Sequence, residues 1–274
     1  MQTSLAQHYV ALLQQTWRGM LGATAFGDDG RLVDWRAGLL PSLSPLANGE
    51  VNGLFDPARL RQPETASAMA LNSFLPWRDR PGELVLAGHG PFSELRYAAR
   101  CPTGVRGTPP LLDLLAADAD RLVAVTARGP DYLGNKVSRL APAYATVDLA
   151  PRMAGWQALL ETLRVEPGRF RHLDAVALLK NAIGLSRTFP EHGPTLIYLF
   201  WEPAGVDGLA FRRHRSEIRT MTQLVGGAMV GFQALSFTEL WDDWEANSAE
   251  PWLRDMVAEL RARYAVAIQA PSAL

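Results

Sequence analysis

The chain has a single cysteine, Cys101, in 274 residues, which excludes an internal disulfide framework and cysteine-based zinc sites. One cysteine fits a reducing compartment, and a cytoplasmic location is expected. The five histidines, His8, His89, His172, His192 and His214, are scattered, and no two stand at the i, i+4 spacing of a metal-binding helix. An excess of charge is also missing: 27 Lys and Arg against 28 Asp and Glu leave a net charge of −1, so no overall basic signature points to nucleic acid. No apolar run approaches the roughly 18–20 residues that a bilayer span needs, and no membrane partner is expected. The opening MQTSLAQHYV lacks the basic start and apolar run of a secretory signal. No phosphate-cradling glycine loop ends in Gly-Lys-Ser/Thr, no GxGxxG follows a strand, and there is no GxSxG elbow. Repeats, low-complexity segments and linkers are absent as well. With 48% hydrophobic and 20% charged residues, this is the composition of an ordinary globular protein.

What is present reads as alternating helices and strands. Residues 3–21 place Leu5, Tyr9, Leu12, Leu13, Trp17 and Met20 on one helical stripe, with Thr3 or Ser4 as the cap. Residues 24–62 are rich in Gly, Pro, Asp and Asn and read as irregular. A helix over 64–77 starts near Thr65 and stops at Pro76. Strands are expected at 83–87 and 92–100. The pattern turns helical over 134–147 and more strongly over 151–164 and 172–187. The run TLIYLFW at 195–201 suits a strand covered on both faces. A helix over 209–225 carries Arg212, Arg213, His214, Arg215 and Arg219, read as a solvated face diluted by Glu217 rather than as a phosphate grip. A strand at 229–235 and helices at 237–246 and 251–268 complete the chain. Trp241 and Trp244 read as core. The expectation is one α/β domain over 1–274, a mixed central sheet flanked by helices. Within it, 1–63 supplies a helix and loop, 64–245 the core, and 246–274 a final helix.

The stretch from Glu94 to Leu133 organises this pattern. Leu111-Leu112-Asp113-Leu114-Leu115 is an apolar strand broken by one acid, RLVAVTAR at 121–128 is a second strand, and AADAD between them is a turn. A carboxylate inside a buried strand costs several kcal/mol unless it is paired or binds a cation. Asp113 therefore needs a partner, and Arg128 is the expected one.

These blocks resemble a bacterial restriction-endonuclease-like family of the PD-(D/E)xK nuclease superfamily. The match runs through ASAMALNSFLPW (66–77), ARCPTGVRGTPPLLDLL (99–115) and VAVTARGPDYL (123–133). It continues through FRHLDAVALLKNAIGL (170–185), TLIYLFWEP (195–203) and FQALSFTELWDDW (232–244). The resemblance implies a restriction-endonuclease-like core, Mg²⁺ as cofactor, double-stranded DNA as partner and a homodimer. Asp113 matches the family's first acid. Where the family has Glu-x-Lys on the next strand, this chain has Thr126-Ala127-Arg128. Thr126 cannot supply a negative metal ligand, and Arg128 is a planar fork that does not lose its proton. The reading that follows is a catalytically impaired member that retains DNA binding. Its alternatives are an active Mg²⁺-dependent endonuclease with relocated acids, Glu94 or Asp131 beside Asp113, and a scaffold without nucleic acid. Lys180 lies where the family's long helix often carries Lys-His, and here Asn181 follows it.

Overall fold

The structure is a computed structural model that describes residues 4–43, 56–134, 137–149, 151–205, 208–248 and 250–266. Among the described residues, three α-helices precede the sheet: α1 (Leu5–Leu21), α2 (Pro57–Leu60) and α3 (Ala66–Phe74). The sheet has five strands hydrogen-bonded in sequence order: β1 (Glu94–Arg100), β2 (Leu111–Ala117), β3 (Leu122–Arg128), β4 (Thr195–Phe200) and β5 (Gly231–Ser236). The first three are antiparallel, and the polar turn between β2 and β3 is closed by Asp118, whose carboxylate accepts the N–H groups of Asp120 and Arg121. β3, β4 and β5 are parallel, so long crossovers must join them. Helices α4 (Ala154–Val165) and α5 (Ala175–Thr188) make the first crossover and α6 (Leu209–Val225) the second. α7 (Phe237–Asn247) and α8 (Pro251–Tyr264) follow the sheet.

Alternation along the strands divides the buried side chains between two cores. Val123, Val125, Ile197 and Leu199 pack with Trp17 of α1, Met69 of α3, Trp241 of α7 and Leu260 of α8. Leu122, Ala124, Leu196 and Tyr198 pack with Trp156 of α4, Leu179 of α5 and Met221 of α6. Helices lie on both faces, so the fold is α/β with a mixed sheet, and β4 is buried from Leu196 to Phe200 because both its faces are covered. Local signals start the helices. Ser4 and Gln7 form a capping box on α1, Thr65 caps α3, and Ser236 with Glu239 boxes α7.

Four expectations are corrected. Leu5 and Met20 are 39% and 41% exposed, because α1 docks on the narrower stripe of Ala6, Tyr9, Leu13 and Trp17. Residues 83–87 are not a strand: Leu86 and His89 exchange N–H···O bonds of 2.8 Å across a tight turn, so Leu84 and Leu86 reach the core from a loop. Among the described residues, 134–147 contains no α-helix, only the 3-10 turn Pro142–Tyr144 and the end of another, Pro130–Gly134. The last helix stops at Tyr264, and the final two of the residues expected in it lie outside the described residues. The irregular 24–62 segment holds α2 and 3-10 turns at Ala23–Ala25 and Trp35–Gly38, with 44–55 outside the described residues.

One irregularity positions the site. In a regular strand Leu112 and Leu114 would share a face. Here Leu112 joins the core of α4, α5 and α6, and Leu114 joins the core of α1 and α3. The same inversion separates Tyr97 from Ala99 on β1, and Ala98 between them has φ +50°. Ala98 stands opposite Asp113, flanked by the pairs Tyr97↔Leu114 and Ala99↔Leu112. The β1–β2 ribbon turns over at this one pair and then peels away from β3. Pairing of β2 with β3 stops at Leu114↔Val125, whereas β3 stays paired with β4 as far as Arg128.

A left-handed backbone costs a residue with a Cβ about 1 kcal/mol. Ala98→Gly is therefore expected to raise stability by about 0.5–1 kcal/mol, and Ala98→Val to lower it by more than that. Urea midpoints of the three proteins would check the order, and a less stable glycine variant would remove the strain at Ala98.

Candidate functional site

Where β2 leaves β3, the ladder bond to the N–H of Ala127 is replaced by a side chain. Asp113 Oδ2 accepts that N–H at 2.7 Å. The opening between the strands is a cleft of about 750 Å³ that Asp113 lines with Thr126, Arg128 and residues of α5. Asp113 and Arg59 also border an adjoining cavity of about 300 Å³, and Arg128 and Asp131 border a third of about 230 Å³. The three form one trough. Asp113 is half-buried at its floor. Desolvation pushes its carboxyl up to about 6, although the Ala127 N–H and the Arg128 and Arg59 cations pull the other way.

The expected Asp113–Arg128 pair does not form. Arg128 ends β3 beside the start of α5, and its guanidinium binds Asp174 at 2.9 Å. Asp174 also caps α5 through the N–H of Ala177, so one acid serves the helix and the arginine together. Thr126 stands two residues before Arg128 and is 7% exposed, and among the described residues its hydroxyl has no hydrogen-bond partner. Asp131 lies in the 3-10 turn Pro130–Gly134 and lines the cleft. Its carboxyl is raised by desolvation, against the lowering effect of Arg128. Glu94 is elsewhere. It pairs across the sheet with Ala117, is exposed and forms an ion pair with Arg96 at 2.7 Å. It stands four residue steps along the strand from Ala98, roughly 13 Å at the usual rise, so it is not a ligand beside Asp113.

Reading the residues alone missed several groups of the trough. Arg59 comes from α2, and Arg139 from the segment after β3. Among the described residues, Arg59, Arg139 and Lys180 form no ion pair with a carboxylate, and Lys180 lies over the ring of Tyr144 at 5.4 Å. Asn181, next to Lys180, is 3% exposed, and its Oδ1 lacks a partner. The Asp174 cap was readable from its place ahead of the periodic AVALL; the others carry no local signal.

The arginine-bearing helix α6 is partly structural. His214 is fully buried, stacked on Tyr132 at 4.0 Å and bonded to Tyr198, and burial pushes its imidazole down to about 3. Arg215 binds Glu202 and Glu239. Glu217 accepts the backbone N–H groups of Arg171, His172 and Leu173, so it is a clamp on the approach to α5 and not a solvated acid. Trp241 and Trp244 are core, as expected.

Magnesium requires hard oxygen ligands, and the resemblance implies two carboxylates side by side. Beside Asp113 the chain offers a hydroxyl at 126 and a cation at 128, and the other acids that line the cleft are Asp174, engaged by Arg128, and Asp131 on the turn beyond β3. This set does not make the implied seat.

The Asp113 shift gives stability a pH dependence. The folded-state value lies above the ordinary one, so the favourable neutral form is fully present below about pH 4 and is lost as pH rises through about 6. Asp113→Asn keeps an oxygen for the Ala127 N–H. It is expected to raise stability by about 1–3 kcal/mol at pH 8 and to make little difference below about pH 4. Denaturant midpoints at the two pH values measure this, and a loss at pH 8 would mean that the carboxylate is favourably paired.

No described helix is long and apolar enough to cross a membrane. No protein-family model matches the chain, and no curated protein or solved structure is significantly similar to it.

Proposed function

We propose that the trough binds the phosphodiester backbone of a nucleic acid without cleaving it, as a catalytically impaired relative of the PD-(D/E)xK nucleases. Duplex DNA is the ligand that the resemblance implies. The observation that carries this reading is the convergence of Arg59, Arg139 and Lys180, none in an ion pair, on a cleft whose floor holds Asp113. Cations outside ion pairs keep their charge available to phosphates, and their contacts fix a strand without reading its sequence. The order α3, β1–β2–β3, α4–α5, β4, with an acid where the antiparallel pair opens, suits the same resemblance.

Impairment follows from the chemistry of the positions. Activating water and neutralising a phosphorane-like charge call for a metal seat and a positioned cation. Thr126 brings no charge to that seat, and the Arg128 cation is directed at Asp174. A second reading, an active enzyme with relocated acids, is favoured only by Asp131 and Asp174 lining the same cleft as Asp113.

Fluorescence anisotropy with a labelled duplex tests the binding. Three phosphate contacts predict a slope of log affinity against log salt of about −3, falling by about one for each of Arg59→Ala, Arg139→Ala and Lys180→Ala. A slope near zero would remove the reading. Plasmid nicking with Mg²⁺ or Mn²⁺ separates the two enzymatic alternatives: none is expected, and nicking lost in Asp131→Asn would favour relocated acids.

A degenerate site is also open to repair. The double variant Thr126→Glu, Arg128→Lys is expected to gain Mn²⁺ binding that depends on Asp113, and the unaltered protein to show none, by isothermal titration. Equal titration curves for the two proteins would count against a shared ancestry of the cleft.

A further inference from the structure

A sugar–phosphate backbone is held by cations along an open cleft and gains nothing from apolar walls. The cavity of about 300 Å³ beside the floor of the cleft has such walls: Leu71 of α3, Tyr97 and Ala98 of β1 and Leu111 of β2 border it. Tyr97 is held in place there by the bond from its hydroxyl to the carbonyl of Phe74 at 3.0 Å. Arg59, Ser67, Leu111 and Asp113 border both spaces, so the cavity is a side chamber of the cleft. Arg59 and Arg100 stand exposed at its border, and among the described residues neither forms an ion pair with a carboxylate. An apolar pocket with a few polar groups and a perturbed acid is the usual form of a small-ligand site. The left-handed backbone of Ala98 in its wall is the kind of strain that gathers at ligand sites. Asp113 suits such a site too, because its raised proton affinity lets the carboxyl meet a partner as donor or as acceptor.

We propose that this chamber takes one unpaired base of the bound nucleic acid, packed among Leu71, Tyr97 and Leu111 and hydrogen-bonded by Asp113, while Arg59 holds its phosphate where chamber and cleft meet. This deepens the nucleic-acid reading above and rests on it. Phosphates and sugars have no use for apolar walls. The base alone joins an apolar face to donors and acceptors on its edge, which is what the chamber offers. A base stacked and paired in a duplex cannot enter. It must turn out of the helix, at a cost that is lower where the base is mismatched. Contacts to the backbone alone are blind to pairing, so a preference for an unpaired base separates the chamber from the cleft.

The test uses short labelled duplexes carrying 2-aminopurine, a base analogue that brightens when it is unstacked, opposite thymine (matched) or guanine (mismatched). Anisotropy and 2-aminopurine emission are read on the full chain and on the chamber-filling variants Leu71→Phe and Leu111→Trp. The unaltered protein is expected to bind the mismatched duplex about tenfold tighter than the matched one and to brighten it, because the mismatch has already lowered the cost of turning the base out. Both variants are expected to bring the ratio to about one and to abolish the brightening while matched-duplex affinity stays the same, since neither removes a cation. Equal affinities in the unaltered protein, or a mismatch preference that survives in both variants, would overturn the inference and leave the backbone-binding reading standing. Binding of free adenosine monophosphate without any mismatch preference would put a free nucleotide in the chamber and overturn it as well. Failure to bind either duplex would overturn both readings. The two substitutions lie on different elements, so one that packs badly does not decide the outcome, and each is checked for an unchanged unfolding midpoint.

Discussion

The hydrogen bond from the Ala127 N–H to Asp113 is the interaction on which the rest of the site depends. Two antiparallel strands that separate leave unpaired backbone groups, and a buried unpaired N–H is costly. A carboxylate at the point of separation satisfies the donor with a charge-assisted bond and lets β2 depart. The turnover of the β1–β2 ribbon at Ala98 and Asp113 supplies the departure itself. The strain of one residue and the desolvation of one acid are thus the local costs of a cleft in an otherwise continuous sheet. The two packed cores offset them many times over.

The same geometry explains why the acid is tolerated. A carboxylate in the middle of a covered strand would be expensive. Asp113 is tolerated because, half-buried where β2 leaves β3, it accepts the Ala127 N–H and lies in the field of the Arg59 and Arg128 cations. The protein therefore keeps a raised proton affinity at the floor of the trough. Arg128, which the spacing alone would assign to Asp113, answers instead to the stronger local demand of the α5 N-cap.

Much of the fold was legible in the sequence, for physical reasons that operate locally. Period-two and continuous apolar runs identify β1 to β5, because side-chain alternation and two-sided burial leave direct traces. The stripes of Trp156, Leu159, Leu160 and Leu163, and of Leu253, Met256 and Leu260, identify α4 and α8. The ELVLA segment misled because burial of Leu84 and Leu86 needs only alternation, not a partner strand. Asp113 stood out in the sequence as the one acid in an apolar strand, whereas Thr126 was tied to it only by what the resemblance implies. Arg59, Arg139 and Asn181 could not be assigned to the site, because their membership depends on where a loop and a helix face come to rest. Glu94 illustrates the opposite error: on the right strand, it is at the wrong end.

Glu217 joins two parts of the molecule that lie far apart in the chain. Its carboxylate, on α6, holds the amide hydrogens of Arg171, His172 and Leu173 just before α5. The helix that carries Asp174, Lys180 and Asn181 is therefore seated partly by an anion from another helix, not by its own cap alone. Exchange of those three amides with solvent then reports how often α6 lifts away, rather than how often α5 frays. The wall of the trough and the crossover beyond β4 are thereby fastened to each other by one side chain.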